Sequence, residues 1–161
     1  MSAVLKLRAV LARMSEADLD ELMAIENSIY SHPWSRGNFA DSLRAGYECR
    51  TWRLAPPRGE ALLAGYFILA AGAGEAHLLN LSVASGCQRS GHGSALLREA
   101  LSLAAQRGAK DLFLEVRPSN HAAQALYRRF GFRAIAVRKG YYPASGGGRE
   151  NALVLTLPLP S

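Results

Sequence analysis

Cysteine is scarce in this sequence, with Cys49 and Cys87 as the two cysteines among 161 residues. Small domains held together by disulfides carry several cysteines at short spacings, and these two do not even form a CxxC pair. The four histidines, at positions 32, 77, 92 and 121, stand singly. We therefore predict no disulfide scaffold and no metal site. Spacing leaves one alternative open, a cluster of His and Cys side chains assembled by the fold.

Long apolar runs are also missing. The longest, at 61–73, contains two glycines and a tyrosine and falls short of the roughly 18 residues that a membrane helix needs. The first thirty residues mix basic and acidic side chains with short apolar stretches, without the continuous apolar segment of a signal peptide. We expect a buried strand at 61–73, no membrane association and a cytoplasmic protein.

Charge is limited and dispersed. Charged residues make up 20% of the chain, and the net charge of +6 is spread over short pairs rather than one basic block. A positive surface favours an anionic partner, but no basic run carries the interleaved aromatic residues that stack on bases. The sign of the charge alone does not choose between a nucleic acid and a phosphorylated cofactor, and the dispersed pattern favours a solvated basic surface without direct nucleic-acid readout.

The remaining pattern predicts one α+β domain over residues 1–161, with a mixed, mostly antiparallel central sheet flanked by helices. Hydrophobic residues make up 49% of the chain, which is enough for one sizeable core. Alternation predicts strands and 3.6-residue periodicity predicts helices. In chain order these are a strand through Leu5, Leu7 and Ala9, a helix opened by Ser15 and Asp18, a short helix capped by Ser35, strands at 49–54, 62–71 and 77–83, a helix at 93–106, a strand at 111–116, a helix at 120–130, and strands at 132–138 and 152–157.

A glycine-containing turn separates the 77–83 strand from the long helix. It reads Gln-Arg-Ser-Gly-His-Gly at 88–93. Helix N-termini bind anions through free N–H groups and the helix dipole, and Arg89 adds a full positive charge. A pyrophosphate such as that of coenzyme A suits this turn, whereas a P-loop would need Gly-Lys-Ser/Thr and a dinucleotide fingerprint would need Gly or Ala at Leu96. An ordinary strand-to-helix turn is the alternative reading.

In this context the turn resembles the Q/R-x-x-G-x-G/A motif of the GNAT acetyltransferases, which Gln88, Gly91 and Gly93 match. The resemblance covers most of the chain and is closest to RimI-type ribosomal-protein-alanine N-acetyltransferases. The other matching stretches are His-Pro-Trp-Ser at 32–35, Asn-Leu-Ser-Val at 80–83, Leu-Glu-Val-Arg at 114–117, Ser-Asn at 119–120, Ala-Leu-Tyr at 125–127, Gly-Phe at 131–132, Tyr-Tyr-Pro at 141–143 and Arg-Glu at 149–150.

The resemblance implies a GNAT-like fold, acetyl-CoA as cosubstrate and no metal. It also implies which residues bind the cosubstrate. Backbone groups at the end of the 77–83 strand would line the acetyl-pantetheine, the turn would hold the phosphates, and Asn120 would serve both as helix N-cap and as a partner of the pantetheine arm. The implied cofactor-binding residues are Leu81, Ser82, Val83, Arg89, Ser90, Gly91, His92, Gly93, Ser94 and Asn120.

Acetylation of an amine needs a base for the incoming ammonium and an acid for the leaving thiolate. Strand alternation places Phe113, Glu115 and Arg117 on one face, and the resemblance puts the general base at Glu115. It puts the proton donor at Tyr127. By residue type alone, Glu115 would be an ion-paired surface glutamate and Tyr127 an ordinary core aromatic.

The resemblance assigns the peptide side of the site to Trp34, Tyr141, Tyr142 and Arg149, although Tyr-Tyr-Pro at 141–143 also suits an ordinary turn. Departures from the family pattern are Ala-Ser-Gly-Cys at 84–87, the glycine-rich 145–148 stretch and Asn151. They leave the candidate acid and base intact and bear on substrate choice.

The expected reaction is therefore acetyl transfer to the N-terminal alanine of a small-subunit ribosomal protein. One alternative keeps the chemistry and changes the acceptor to a small amine or a lysine. Another is a noncatalytic module that binds acyl-CoA or the ribosome. The basic net charge attracts the polyanionic cosubstrate but not a basic ribosomal protein, so the substrate assignment rests on the resemblance.

Overall fold

The computed structural model of the protein describes residues 7–160 and confirms the predicted order of helices and strands. Leu5, where the first predicted strand begins, lies outside the described residues. Short 3-10 turns precede the first helix, the long helix and the last strand. The elements are β1 Arg8–Arg13, α1 Leu19–Ile29, α2 Arg36–Arg44, β2 Glu48–Ala55, β3 Leu62–Gly72, β4 Glu75–Val83, α3 His92–Gln106, β5 Asp111–Val116, α4 His121–Arg129, β6 Arg133–Pro143 and β7 Arg149–Pro158.

Within residues 7–160, seven strands form one mixed sheet in the order β1-β2-β3-β4-β5-β7-β6. β1 pairs antiparallel with β2, and β7 pairs antiparallel with both β5 and β6. β4 pairs with β5 in parallel, and a parallel pair requires a long crossover, which α3 supplies. The predicted α+β class and mostly antiparallel sheet are confirmed.

β6 is longer than predicted. The sequence indicated a strand ending at position 138, but β6 continues to Pro143, where Tyr142 pairs with Glu150 and Pro143 pairs with Arg149. The register shifts between Arg138 and Tyr142, around Gly140 with φ of 58°. A bulge lets the ladder resume beyond an irregular residue, and this is why alternation alone stopped the strand too early.

Side-chain caps mark the N-termini of the first helices, as predicted. Ser15 and Asp18 form a capping box, with the Ser15 N–H donating to the Asp18 carboxylate at 2.8 Å, although a 3-10 turn intervenes before α1. At α2, the Ser35 hydroxyl accepts from the Asn38 N–H at 3.1 Å. Such caps satisfy N–H groups that a helix leaves without partners.

The chain divides into two compact units. The first comprises the chain up to Ile68 together with Asn80–Leu96. Its core is aromatic and aliphatic: Phe39 of α2 is fully buried, with its ring edge-on to Tyr66 of β3 at 5.8 Å and 5.1 Å from the ring of Trp34. Other fully or almost fully buried members are Leu19, Leu22, Phe67, Ile68 and Leu96.

A buried carboxylate lies in the first unit. Glu26 of α1 is 1% exposed, and its oxygens accept hydrogen bonds from the Tyr66 hydroxyl at 2.7 Å, the Trp34 backbone N–H at 2.9 Å and the Asn80 amide at 3.5 Å. A buried charge is costly unless hydrogen bonds replace its hydration. These donors come from the segment before α2, from β3 and from β4, so one carboxylate ties three parts of the unit to α1.

The hydrogen bonds continue from Asn80 along β4. The Ser82 hydroxyl donates to the Asn80 side-chain oxygen at 2.7 Å, so the Tyr30 hydroxyl, 2.7 Å from the Ser82 hydroxyl, donates to it. Burial raises the pKa of Tyr30 to about 12, which keeps its phenol protonated and able to donate. The resulting chain fixes the polar side chains at the end of β4.

The second unit comprises Leu69–Leu79 and the chain from Leu97 onward. In β5 the buried residues Leu112, Leu114 and Val116 alternate with half-buried ones, as the sequence predicted. The other buried residues of this unit come from one face of α3, from α4, from the position just before β6 and from β7, namely Leu97, Ala100, Ala104, Tyr127, Phe132, Ala152 and Leu155. In the described part of the chain no helix is long and apolar enough to cross a bilayer.

Gly65 tests the close packing of the first unit. A Cβ at this position would lie 2.7 Å from the Ser82 carbonyl oxygen and 2.7 Å from Leu96 Cδ1. Because the carbonyl is backbone and cannot rotate away, we expect Gly65→Ala to lower the free energy of unfolding by about 1–3 kcal/mol. Urea unfolding measures this free energy. Gly72→Ala is the control, since a Cβ there meets nothing within 4 Å, and equal stability of the two variants would contradict the packing argument.

Glu26 tests the buried hydrogen bonds. Glu26→Leu keeps the volume roughly constant but removes the acceptor for Tyr66 and Trp34. Leaving buried donors without partners costs about 1–3 kcal/mol each, so we expect a loss of at least that size in the free energy of unfolding. Glu26→Gln retains one oxygen acceptor and serves as the matched variant. A Leu variant as stable as the Gln variant would show that these bonds contribute nothing net.

Candidate active site

Glu115 lies on the half-buried face of β5, in the second unit. Its side chain is 12% exposed, so it is neither free in solvent nor enclosed in the core. Two cationic or ionisable groups approach its carboxylate: Nε2 of His77 lies 3.3 Å away and Nε of Arg138 lies 3.7 Å away. The structure thus places the predicted base in a cluster that strand alternation did not reveal.

Glu115 and His77 shift the pKa of each other. The hydrogen bond with His77 is the largest influence on the pKa of Glu115 and holds it below its ordinary value, against the opposing effect of burial. The same contact raises the pKa of His77, again against burial. Glu115 is therefore ionised near neutral pH and able to accept a proton.

Tyr127, the predicted acid, lies on α4 in the second unit. It is buried, and its ring lies edge-on to Phe132 with 5.5 Å between centroids. Asn120 caps the same helix, since its side-chain oxygen accepts from the Ala123 N–H at 3.1 Å. The N-cap function of Asn120 is thus confirmed, while its contact with pantetheine and the acid role of Tyr127 stay predictions.

Tyr141 and Tyr142 lie at the end of β6, not in a free turn. Their rings are 4.9 Å apart, and the Arg117 guanidinium stacks 4.3 Å from the Tyr142 centroid. Burial is the main cause that raises the pKa of Tyr142, and the nearby Glu115 carboxylate raises it further. The phenol therefore stays protonated at neutral pH beside the candidate base.

Arg117 is held by Glu150 of β7. The two side chains lie 3.3 Å apart, and Arg117 also donates to the Pro143 carbonyl at 2.8 Å. Glu150 in turn accepts from the Ser119 N–H at 2.8 Å and from its hydroxyl at 2.9 Å. Hydrogen bonds from Ser119 are the first cause of the lowered pKa of Glu150. These contacts link β7 to the loop before α4.

Arg149, predicted to bind peptide, braces the backbone of β6. Its guanidinium donates to the Gly140 carbonyl at 2.8 Å and to the Tyr141 carbonyl at 3.2 Å. On the same bulge the Gly140 N–H donates to Asn151 at 3.0 Å. Arg149 therefore positions the tyrosine pair through the main chain, and a direct contact with peptide stays a prediction.

The turn predicted to bind phosphate lies in the first unit, where α3 begins at His92, one residue earlier than predicted. Arg89 and Gly91 both have left-handed backbone conformations, with φ of 64° and 81°. Glycine adopts this region readily, whereas for arginine it is strained and typical of functional turns. The Gln88 amide donates to the Val83 carbonyl at 3.0 Å and ties the turn to the end of β4.

The first turn of α3 carries further candidates. The Trp52 indole N–H donates to Nδ1 of His92 at 3.2 Å, which fixes that ring against β2. The N–H groups of Gly93 and Ser94 belong to the first helical turn, which has no intrahelical acceptors for its leading N–H groups. Together with Ser90, these residues form a polar, glycine-rich helix N-terminus that suits a phosphate group.

Three predicted residues, Leu81, Ser82 and Val83, end β4. Ser82 is buried and held by Tyr30, and the Leu81 carbonyl lies 3.5 Å from the Tyr30 hydroxyl. Trp34, predicted on the peptide side, belongs to the same unit and is anchored through its N–H to Glu26. The structure thus places Trp34 and the β4 residues around one hydrogen-bonded chain.

Sequence reasoning missed His77, Arg138 and Glu26. His77 was treated as an isolated histidine, and the signal that would have found it is parallel pairing of β4 with β5, which the sequence does not specify. Glu26 gave a weaker signal: a carboxylate on the apolar stripe of a predicted helix. Among residues 7–160, no three His, Cys, Asp or Glu side chains come together so that they could hold a metal ion.

Comparison with known proteins places this geometry in a family. The [ribosomal protein bS18]-alanine N-acetyltransferase of Haemophilus ducreyi is 36% identical over 144 residues, 89% of this chain and 96% of its own. The Escherichia coli K12 enzyme of that name is 34% identical over 149 residues, 92% of this chain and 97% of its own.

The solved structures agree with the sequence comparison. The crystal structure of the ribosomal-protein-S18-alanine N-acetyltransferase from Escherichia coli matches with a TM-score of 0.84 at 32% identity, covering 96% of each chain. The acetyltransferase (GNAT) family model matches residues 19–132, which is more than half of the chain. The predicted resemblance is confirmed, and the chain belongs to the GNAT acetyltransferase family.

Proposed function

We propose that this protein transfers the acetyl group of acetyl-CoA to the N-terminal α-amino group of a protein, the N-terminal alanine of ribosomal protein bS18. The observation that carries this proposal is the full-length similarity to enzymes of that name, at 34–36% identity. An ionised carboxylate at the position predicted for the base, with a buried tyrosine on α4, supports a working catalyst rather than a noncatalytic module.

The chemistry we assign to Glu115 follows from the state of the substrate. An α-amino group has a pKa of about 7.7–8.0, so part of it is ammonium at neutral pH and cannot attack a thioester. Glu115, directly or through water, accepts one proton from nitrogen. The neutral nitrogen then forms its bond to the acetyl carbon, and as the carbon–sulfur bond breaks Tyr127 gives its phenolic proton to the departing sulfur. The second proton that the nitrogen loses on becoming an amide restores the Tyr127 phenol, and the proton on Glu115 leaves to water.

The residues of the first unit fit the cosubstrate. Arg89 carries a positive charge in a strained turn, and the start of α3 offers N–H groups, which together suit a pyrophosphate. We assign phosphate binding to Arg89, Ser90, Gly91, His92, Gly93 and Ser94. We assign the acetyl-pantetheine to the backbone of Leu81, Ser82 and Val83 and to Asn120.

The residues of the substrate side are aromatic. Trp34, Tyr141 and Tyr142 would receive the N-terminal residues of the peptide, with Arg149 acting through the β6 backbone that it braces. Tyr141 is 44% exposed although its ring lies edge-on to that of Tyr142, and this exposure suits contact with a ligand. We further propose that residues 1–161 act as one catalytic domain and that the reaction takes place in the cytoplasm, where ribosomal proteins are made.

The base and the acid can be tested together. We expect Glu115→Gln and Tyr127→Phe each to lower kcat by about 10²–10⁴, the usual contribution of general acid–base catalysis. The assay follows thiol release and product mass with acetyl-CoA and a peptide that begins with the N-terminal residues of bS18. Glu99→Gln and Tyr47→Phe change exposed residues of the same types and serve as controls.

The acceptor panel includes N-terminally blocked lysine peptides and small amines. Transfer to a free α-amine alone supports the proposal, whereas transfer to small amines or lysine alone would replace the substrate class. Full activity in both Glu115→Gln and Tyr127→Phe would refute their assigned roles, even if the acceptor proved correct.

The phosphate-binding turn can be tested by affinity. Arg89→Gln leaves a shorter, polar side chain without the charge, so we expect the Kd of acetyl-CoA to rise about tenfold or more, as for loss of a hydrogen bond to a charged group. The Kd is measured by calorimetry, and the difference should shrink as salt is raised. Arg58→Gln, on an exposed loop, is the control. Identical affinities for the two variants would place the phosphates elsewhere.

A further inference from the structure

His77 is brought to Glu115 by the parallel pairing of β4 and β5. His77 is the register partner of Phe113, with 6.2 Å between the ring centroids. Glu115 follows two residues after Phe113 and therefore lies on the same face of the sheet, diagonal to His77. The neighbourhood thus follows from the backbone register and does not depend on a long, flexible side chain.

The contact is well placed for proton transfer. Nε2 of His77 lies 3.3 Å from each of the two carboxylate oxygens of Glu115. The two groups differ in exposure: the His77 side chain is 39% exposed and that of Glu115 is 12% exposed. The His77 side chain is therefore more accessible to bulk water than the Glu115 side chain.

We propose that His77 is the positioning residue of the base Glu115, holding its carboxylate in place and taking up the proton that Glu115 receives. This inference rests on the proposed role of Glu115 as base. The nitrogen–hydrogen bond of the substrate ammonium breaks as an oxygen–hydrogen bond forms on Glu115. That bond then breaks as the proton binds Nε2 of neutral His77, in the tautomer that carries its proton on Nδ1. The imidazolium releases the Nδ1 proton to water through its exposed side and keeps Nε2–H, which donates to the ionised Glu115 carboxylate. Proton exchange with water restores the first tautomer.

The charged groups around His77 set its pKa, and this determines the pH range in which the proton relay from Glu115 to His77 operates. Arg138, on β6, faces the same carboxylate and lowers the pKa of His77, while Glu75, on β4, raises it. The contact with Glu115 outweighs both and sets the direction upward. The phenol of Tyr142 also faces Glu115 but stays protonated.

Protonated His77 has no free lone pair on Nε2 and cannot take a proton from Glu115. The relay therefore requires neutral His77, which predominates only above a pKa that the contact with Glu115 raises beyond the ordinary value for histidine. His77 and Glu115 titrate as a coupled pair, so the pH dependence belongs to the pair. We expect the advantage given by His77 to increase as pH rises through its raised pKa.

The test compares wild type with His77→Gln, which keeps a hydrogen-bond donor but cannot ionise. kcat/KM for acetyl transfer to the peptide is measured from pH 5.5 to 9, and the wild-type to variant ratio is taken at each pH. Ionisation of the peptide amine affects both enzymes equally and cancels in the ratio. We expect a ratio near one at low pH that rises to about tenfold or more and levels off. His121→Gln, an exposed histidine at the start of α4, should give a ratio of one throughout.

A ratio that is large but independent of pH would indicate a purely structural role for His77 and would overturn the proposal. A second measurement does not depend on activity: NMR titration of the His77 ring in wild type and in Glu115→Gln. We expect the His77 pKa to fall when Glu115 becomes a neutral amide. An unchanged pKa would refute the contact itself.

The two proposals fail in different ways. Loss of activity in Glu115→Gln with a flat ratio for His77→Gln overturns the relay and leaves Glu115 as the base. Retention of activity in Glu115→Gln overturns the proposed base and the relay with it.

Discussion

Four residue pairs join β4 to β5 in parallel, from Glu75 with Asp111 to Leu78 with Leu114, and both strands continue beyond them. A parallel pair cannot be closed by a tight turn, so the chain must leave the end of β4 and return by a crossover. The crossover is α3, whose N-terminus, with its free N–H groups, follows β4 after a short 3-10 turn and the 88–91 segment. The same four pairs set His77 beside Phe113 and hence near Glu115. The parallel pairing thus accounts both for the connection that carries the turn proposed to bind phosphate and for the surroundings of the proposed base.

The two units each contain a shielded carboxylate, Glu26 in the first and Glu115 in the second, and the two carboxylates have different partners. In the first, Glu26 is buried and fully hydrogen-bonded, so its charge is offset by fixed donors and it serves to hold α1, β3, β4 and the segment before α2 together. In the second, Glu115 is only partly shielded and is paired with groups that can ionise or stay charged. A carboxylate held by fixed neutral donors is suited to stabilising the fold, whereas a carboxylate beside a titratable imidazole is suited to proton transfer.

Lowering the pKa of a base has a cost for catalysis, because a more stable carboxylate is a weaker base. His77 and Arg138 hold the pKa of Glu115 low, so the role of base proposed for Glu115 depends on its placement, on its ionised state at neutral pH and on a route for the proton to leave. The aromatic pair at the end of β6 lies near this cluster, with Tyr142 stacked under Arg117 and kept protonated by burial. The bulge at Gly140, braced by Arg149, gives these rings their positions.

Local patterns in the sequence determined the order and type of the elements, the caps at Ser35 and Asn120, the alternation of β5 and the family, because propensity, capping and motif spacing act over a few residues. Alternation predicted the end of β6 too early, because a bulge interrupts the pattern, and the spacing of the histidines gave no sign that His77 has a partner. The tertiary structure was needed to show which strands pair and that β7 lies between β5 and β6. It was also needed to show that Arg138 and His77 contact Glu115 and that Glu26 is buried. Strand pairing joins residues far apart in the chain, and register depends on the packing of the whole core, which no local window of sequence contains.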